Sequence, residues 1–155
     1  MDILERLKTF LEQYGWQYEQ PQEGLIVTGF RGRSGVFRLF LQATESWVVM
    51  AIAPFVPRPE PESAGRFYHA LLRLNYEMNL AKVGLDADED VVLMVELPAE
   101  DLRYEDVARA LDVITFSADN LYLPLANLAT NPNYVLPDEM VALWGSLETD
   151  AQAPE

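Results

Sequence analysis

An α+β domain is the fold class this sequence predicts, with an antiparallel sheet packed by helices in the order helix-strand-strand-strand-helix-strand-strand-helix. Three observations carry it. Apolar residues recur at helical spacing near the start, in the middle and in the last third of the first 130 residues. Between the first two of these stripes, three stretches rich in Val, Ile, Phe and Trp alternate with period two and are joined by short turns. A second pair of such stretches, around an acidic turn, follows the middle stripe.

The first helix places Ile3, Leu4, Leu7, Phe10, Leu11 and Tyr14 on one side, with Asp2 and Glu5 spaced like a capping box and Gly15 at the exit. Turn residues Pro21 to Gly24 lead into strands over Leu25 to Arg31, Gly35 to Gln42 and Trp47 to Ala53. Gly32-Arg33-Ser34 and Ala43-Thr44-Glu45-Ser46 are short enough to make them a three-stranded meander. Pro54, Pro57, Pro59 and Pro61 enforce a stiff extended crossover. A second helix from about Ser63 to Asn79 has one stripe of Phe67, Leu71, Leu74 and Met78 and another of Tyr68, Leu72 and Tyr76. Strands near Lys82 to Asp86 and Val91 to Leu97 form the second hairpin, and Pro98 ends it. The third helix, about Tyr104 to Ala129, carries Val107, Leu111, Ile114, Ala118, Leu121, Leu125 and Leu128 at helical period, with Glu105 and Asp106 in its first turn. Asn131-Pro132-Asn133 breaks it. Residues 1–130 therefore read as the domain and 131–155 as a tail with one apolar run, Val135, Leu136, Met140, Val141, Leu143 and Trp144.

Composition narrows the function. Eleven Lys and Arg against 25 Asp and Glu leave a net charge of −14, which opposes attraction to nucleic acid or to an anionic membrane. Zero cysteines exclude disulfides, thiolate metal sites and cysteine nucleophiles. No apolar run spans a membrane, and Met1-Asp2-Ile3-Leu4-Glu5 lacks the features of a signal peptide, so a cytoplasmic location is expected.

Catalytic sets are absent from the pattern, so no enzyme, cofactor or metal is expected. The only histidine, His69, has no second histidine or cysteine to share a metal. Asp86-Ala87-Asp88-Glu89-Asp90 starts like a calcium loop, but its sixth position is Val91 instead of Gly and its twelfth is Leu97 instead of Glu. The glycine-rich Gly29 to Gly35 has neither the lysine nor the following helix of a phosphate loop. It reads as a hairpin, with Arg31, Arg33 and Arg38 forming a basic patch suited to an acidic partner.

Register points to a binding surface. With Gly32 to Ser34 as a three-residue loop, Arg31 faces Gly35, Val27 faces Leu39 and Leu25 faces Leu41. Gln42 opposite Trp47 then adds Val48 and Met50 to that core side. The other face carries Ile26, Phe30, Val36, Phe40, Trp47 and Val49, interrupted by Thr28, Arg38 and Gln42. A half-solvated sheet alternates cleanly with polar residues, so this face needs either a covering element, from the third helix or the tail, or a partner. The partner reading makes Ile26, Phe30, Phe40, Trp47 and Val49 a client-binding site, with Arg38 for a carboxylate. The second stripe of the middle helix, Tyr68, Leu72 and Tyr76, requires either contact inside the chain or a homodimer seam.

Certain residues add a resemblance. Leu71-Leu72-Arg73-Leu74-Asn75, then Val83-Gly84-Leu85-Asp86, then Val91-Val92-Leu93 with Glu96-Leu97-Pro98, is similar to the YbjN and type III secretion chaperone-like group over about residues 3–129. The resemblance implies a type III secretion chaperone-like homodimer with the second helix at its interface and an apolar sheet surface that holds a client segment. No catalytic residues come with it. The proline-rich crossover and the added tail depart from the pattern. Related chaperone-like proteins in cyanobacteria make an assembly component such as a carboxysome shell protein one expected client. The alternative is a YbjN-type regulator contacting a folded signalling or motility component.

Overall fold

A computed structural model describes residues 2–138, and the tail's Met140, Val141, Leu143 and Trp144 lie outside them. Three helices and six strands follow in the order α1 (Ile3–Tyr14), β1 (Glu19–Gln22), β2 (Leu25–Arg31), β3 (Val36–Ala43), β4 (Trp47–Ile52), α2 (Ala64–Glu77), β5 (Ala81–Leu85), β6 (Val91–Pro98) and α3 (Tyr104–Thr130). All strands form one antiparallel sheet ordered β1-β2-β3-β4-β6-β5. The predicted α+β architecture is therefore the observed one, with β1 added at the edge.

The helices form where the apolar stripes lie. Leu4, Leu7 and Leu11 of α1, Phe67, Leu71 and Leu74 of α2, and Val107 through Leu128 of α3 are buried in one cluster. The sheet contributes Ile26, Phe37, Leu39, Leu41, Val48, Met50, Val83, Leu93 and Val95 to the same cluster. All three helices thus pack on one face of the sheet. Gly15 ends α1 with φ at 94°, a left-handed conformation that glycine adopts without a Cβ penalty. Asp2 makes no side-chain cap, contrary to the expected capping box: Glu5 is drawn instead to Lys8, 2.6 Å away on the same helix.

The hairpin register corrects the expected one. Arg31 pairs with Val36, because the loop has four residues, Gly32 to Gly35, closed by the Gly32 amide donating to the Gly35 carbonyl at 2.8 Å. Val27 consequently pairs with Phe40 and Ile26 with Leu41. A one-residue slip turns every side chain of a strand to the other face. Ile26, Thr28 and Phe30 therefore face the helices, while Leu25 and Val27 face away. Ile26 is fully buried, and Phe30 stacks between Trp16 at 5.7 Å and Phe37 at 5.1 Å. At β3–β4 the observed partners are Gln42 with Val49 and Leu41 with Met50. That is a slip of two residues from the expectation, so the sides of Leu39, Leu41, Val48 and Met50 stand.

The β2–β3 hairpin is latched to α3. The Asp119 carboxylate accepts the Ser34 amide at 2.8 Å and the Ser34 hydroxyl at 2.9 Å, with Arg33 Nε at 3.4 Å. Those hydrogen bonds, the backbone one foremost, hold the Asp119 carboxyl below the usual carboxylate range. Gly32 permits this approach, since a Cβ there would lie 2.4 Å from Asp119 Oδ1 and the carboxylate would have to shift.

Candidate partner-binding surfaces

The sheet face away from the helices is built by register. Val27 of β2, Phe40 of β3, Ala51 of β4 and Met94 of β6 are direct neighbours across four adjacent strands. At a strand spacing of about 4.8 Å they form an apolar strip about 14 Å long, perpendicular to the strands. One row along, Leu25, Gln42, Val49 and Glu96 are paired in the same way, and beyond them Trp47 sits beside Pro98. Trp47 is 50 % exposed and Val36 71 % exposed. Lys82 and Glu96, 2.7 Å apart, close the strip on the β5 side. Of the six predicted client-binding residues Arg38, Phe40, Trp47 and Val49 lie on this face, with Arg38 and Trp47 at its opposite ends. Ile26 and Phe30 are on the helix side, and their places are taken by Val27, Ala51 and Met94.

Arg38 organises the other end of this face. Its guanidinium lies over the Phe40 ring, 5.2 Å from the centroid, and it has no carboxylate partner among the described residues. It borders two depressions. One, of ≈ 500 Å³, is lined also by Phe40, Ile52, Pro54, Phe55 and Tyr122. The other, of ≈ 370 Å³, is lined also by Tyr18, Glu19, Val27 and Gly29. An unpaired cation beside aromatic and aliphatic surface can accept a carboxylate flanked by an apolar side chain.

On α2 the second stripe is exposed among the described residues: Leu72 is 72 % and Tyr76 85 % exposed, with Tyr68 partly covered by its ring contact to Phe67. The remaining sequence candidates are placed as follows. His69 is exposed on α2. In the acidic turn Asp86 Oδ1 accepts the amides of Asp88 and Asp90, both at 2.9 Å, and Arg58 donates to Asp90 at 2.9 Å. Those carboxylates stabilise the turn itself. Among the described residues no group of three His, Asp or Glu is arranged to hold a metal, and no helix is long and apolar enough to cross a membrane.

The residues behind the resemblance have a structural explanation. The Asn75 side chain pairs with both backbone groups of Val83, donating to its carbonyl and accepting its amide, each at 2.8 Å. It clamps α2 to the edge strand β5, and Asp86 then closes the hairpin that follows. A family model described as "putative bacterial sensory transduction regulator", YbjN, matches residues 4–125. This chain belongs to the YbjN family.

Family membership and fold agree. The structure of YbjN from E. coli matches with a TM-score of 0.55 at 16 % identity, covering 75 % of this chain and 88 % of that one. A chain of the heterodimeric ExoU–SpcU complex from the type III secretion system of Pseudomonas aeruginosa matches with a TM-score of 0.54 at 17 % identity, covering 78 % and 95 %. The Yersinia pestis type III secretion chaperone SycH, solved with a fragment of YscM2, matches with a TM-score of 0.52 at 16 % identity, covering 76 % and 97 %. At such identities the likeness is one of fold. No curated protein is detectably similar in sequence.

Proposed function

We propose that this YbjN-family chain is a non-enzymatic chaperone-like or adaptor protein of the cytoplasm that holds a segment of a client on the open sheet face. The observation that carries the reading is the one-sided packing of the helices, which among the described residues leaves Phe40, Val49 and Met94 partly exposed and Trp47 exposed on the other face, where Arg38 has no carboxylate partner. Two structurally similar chains come from complexes of type III secretion proteins, one being the chaperone SycH with its YscM2 fragment. An acidic segment of the client, with apolar anchors, complements Arg38 and the strip. A carboxysome shell protein remains a client worth testing.

Self-association through α2 is the second part of the proposal. Tyr68, Leu72 and Tyr76 lie one helical turn apart in sequence order. A two-fold antiparallel crossing at Leu72 would set each Tyr68 against the Tyr76 of a second copy.

The test is affinity capture from the native host with the wild type and with Phe40→Ser/Trp47→Ser. The expected result is a protein retained by the first and lost by the second, with circular dichroism unchanged. Equal retention would reject this face as the binding site. A regulatory reading, a contact with a folded signalling or motility component, is favoured by the description of the family. Measuring the captured protein as an unfolded segment and as a folded domain separates the two: a chaperone prefers the segment, a regulator the domain.

A further inference from the structure

Resting on the client-holding reading above, we infer that the ≈ 500 Å³ depression beside Arg38 is a blind slot in the sheet that takes the C-terminal residues of the client chain. The client's α-carboxylate meets Arg38, and its last side chain, a large apolar one, lies against Phe37, Phe55 and Tyr122. The slot follows from the register. β3 and β4 pair Gln42 with Val49 and Phe40 with Ala51; carried further, the same ladder would set Arg38 opposite Ala53 and Val36 opposite Phe55. It does not continue. The Phe55 amide donates instead to the Val91 carbonyl at 2.7 Å, so this stretch follows β6 and parts from β3. The Thr44 amide donates to the Trp47 carbonyl at 2.8 Å, which phases the ladder. Backbone groups alternate in direction along a strand, so Gln42, Phe40 and, past the split, Arg38 and Val36 all turn theirs toward β4. Among the described residues, those of Arg38 and Val36 meet no backbone partner on that side.

The shape of the slot selects a chain end. At its inner end the strands rejoin at Phe40 and Ala51, so a polypeptide lying along the unpaired backbone cannot pass through and has to stop there. Val36 to Phe40 spans about 13 Å, the length of about four extended residues. The floor is three rings, Phe37, Phe55 and Tyr122, with centroids 5.6 to 6.2 Å from one another. Phe37 and Phe55 are buried and Tyr122 is partly exposed, which suits one apolar side chain laid against them. Charge then decides which end enters. Arg38 is the only charged residue among the described ones that line the slot, and its guanidinium leans over the Phe40 ring, toward the inner end. A terminal ammonium is repelled there, and a terminal carboxylate gains charge-assisted hydrogen bonds. Strand-like pairing of a peptide with an open β edge, together with capture of its carboxylate, is an established mode of peptide recognition.

The test uses random heptapeptides tethered by their N-termini, with free C-terminal carboxylates, selected on the full-length protein. Enriched sequences are then synthesised as acids and as amides. The expected result is a large apolar last residue, an acid that binds at least about ten-fold more tightly than its amide in fluorescence anisotropy, and a ratio near one in Arg38→Gln. An acid ending in benzoylphenylalanine is expected, on irradiation, to label residues 52–55 or Tyr122, a readout that needs no variant. Failure to enrich any peptide, equal binding of acid and amide, a preference that survives Arg38→Gln, or labelling at Trp47 each overturns the inference. Trp47 does not line the slot, so Trp47→Ser separates this failure from that of the proposed function. If acid and amide bind alike while capture from the host is lost in Trp47→Ser, the client lies on the strip by an internal segment, and the slot alone is rejected.

Discussion

Alanine at Asp119 and at Gly32 should act on the same latch, and the two substitutions together should cost far less than their sum. Asp119 accepts two bonds from Ser34, at 2.8 and 2.9 Å, with only 16 % of its side chain exposed. Hydrogen bonds to a charged group contribute about 1.5–3 kcal/mol each, and the part-buried setting favours the lower value, so Asp119→Ala should cost about 3 kcal/mol. The Arg33 partner is 86 % exposed and adds little. For a domain of this size, that cost lowers Tm by about 6–12 °C. Gly32→Ala would set a Cβ 2.4 Å from Asp119 Oδ1 and 2.7 Å from its Cγ, which forces the carboxylate away from Ser34 and forfeits about 2–3 kcal/mol. Without that carboxylate only the contact to the Asp119 Cβ at 3.2 Å remains, and the same glycine substitution should cost under about 1 kcal/mol. Urea unfolding of the wild type, both single variants and the double variant measures the coupling, expected at about 2 kcal/mol. Additive costs, or a neutral Gly32→Ala, would show that the hairpin does not depend on this approach. The sign with pH follows from the depressed carboxyl: its stabilisation is fully present above the usual carboxylate pKa of about 4 and is lost as pH falls through the lower folded value. The difference between wild type and Asp119→Asn should therefore shrink on acidification.

Other substitutions test separate parts of the fold and site. Asn75→Ala removes both bonds to Val83, at 2.8 Å each, and should cost about 1–3 kcal/mol in urea unfolding with hydrogen exchange rising first in β5. Arg38→Glu should abolish capture of an acidic client while leaving Tm within about 2 °C, because Arg38 has no carboxylate partner among the described residues and lies over the Phe40 ring. An unchanged affinity would remove Arg38 from the site. Burial and then the hydrogen bond to Asp112 push the Tyr14 hydroxyl well above its ordinary range. Its stabilisation is present below pH 10 and is lost as pH rises beyond it, so Tyr14→Phe should be less stable than wild type at pH 8 and approach it in alkaline solution.

Element order and the choice of buried helical stripes were legible in the sequence, because both depend on local periodicity. Phe67, Leu71 and Leu74, or Val107 through Leu128, leave one side of a helix to bury wherever that helix is placed. β1 was not legible: Glu19-Gln20-Pro21-Gln22 is wholly exposed and joins the sheet through its backbone, which leaves no hydrophobic pattern. The faces of the meander depended on whether the loop after Arg31 has three residues or four, a matter that glycine and serine do not decide. In the folded chain the loop has four residues and its Ser34 is held by Asp119, 85 positions away, and the register that goes with it puts Ile26 and Phe30 in the core and Val27 on the other side. Likewise β4 could be seen as a strand, but its neighbour β6, and with it Met94 in the apolar strip, exists only once α2 has carried the chain across the helix-packed side of the sheet. Periodicity is a property of neighbouring residues and survives in the sequence; register and strand adjacency are set by distant contacts and arise only in the folded chain.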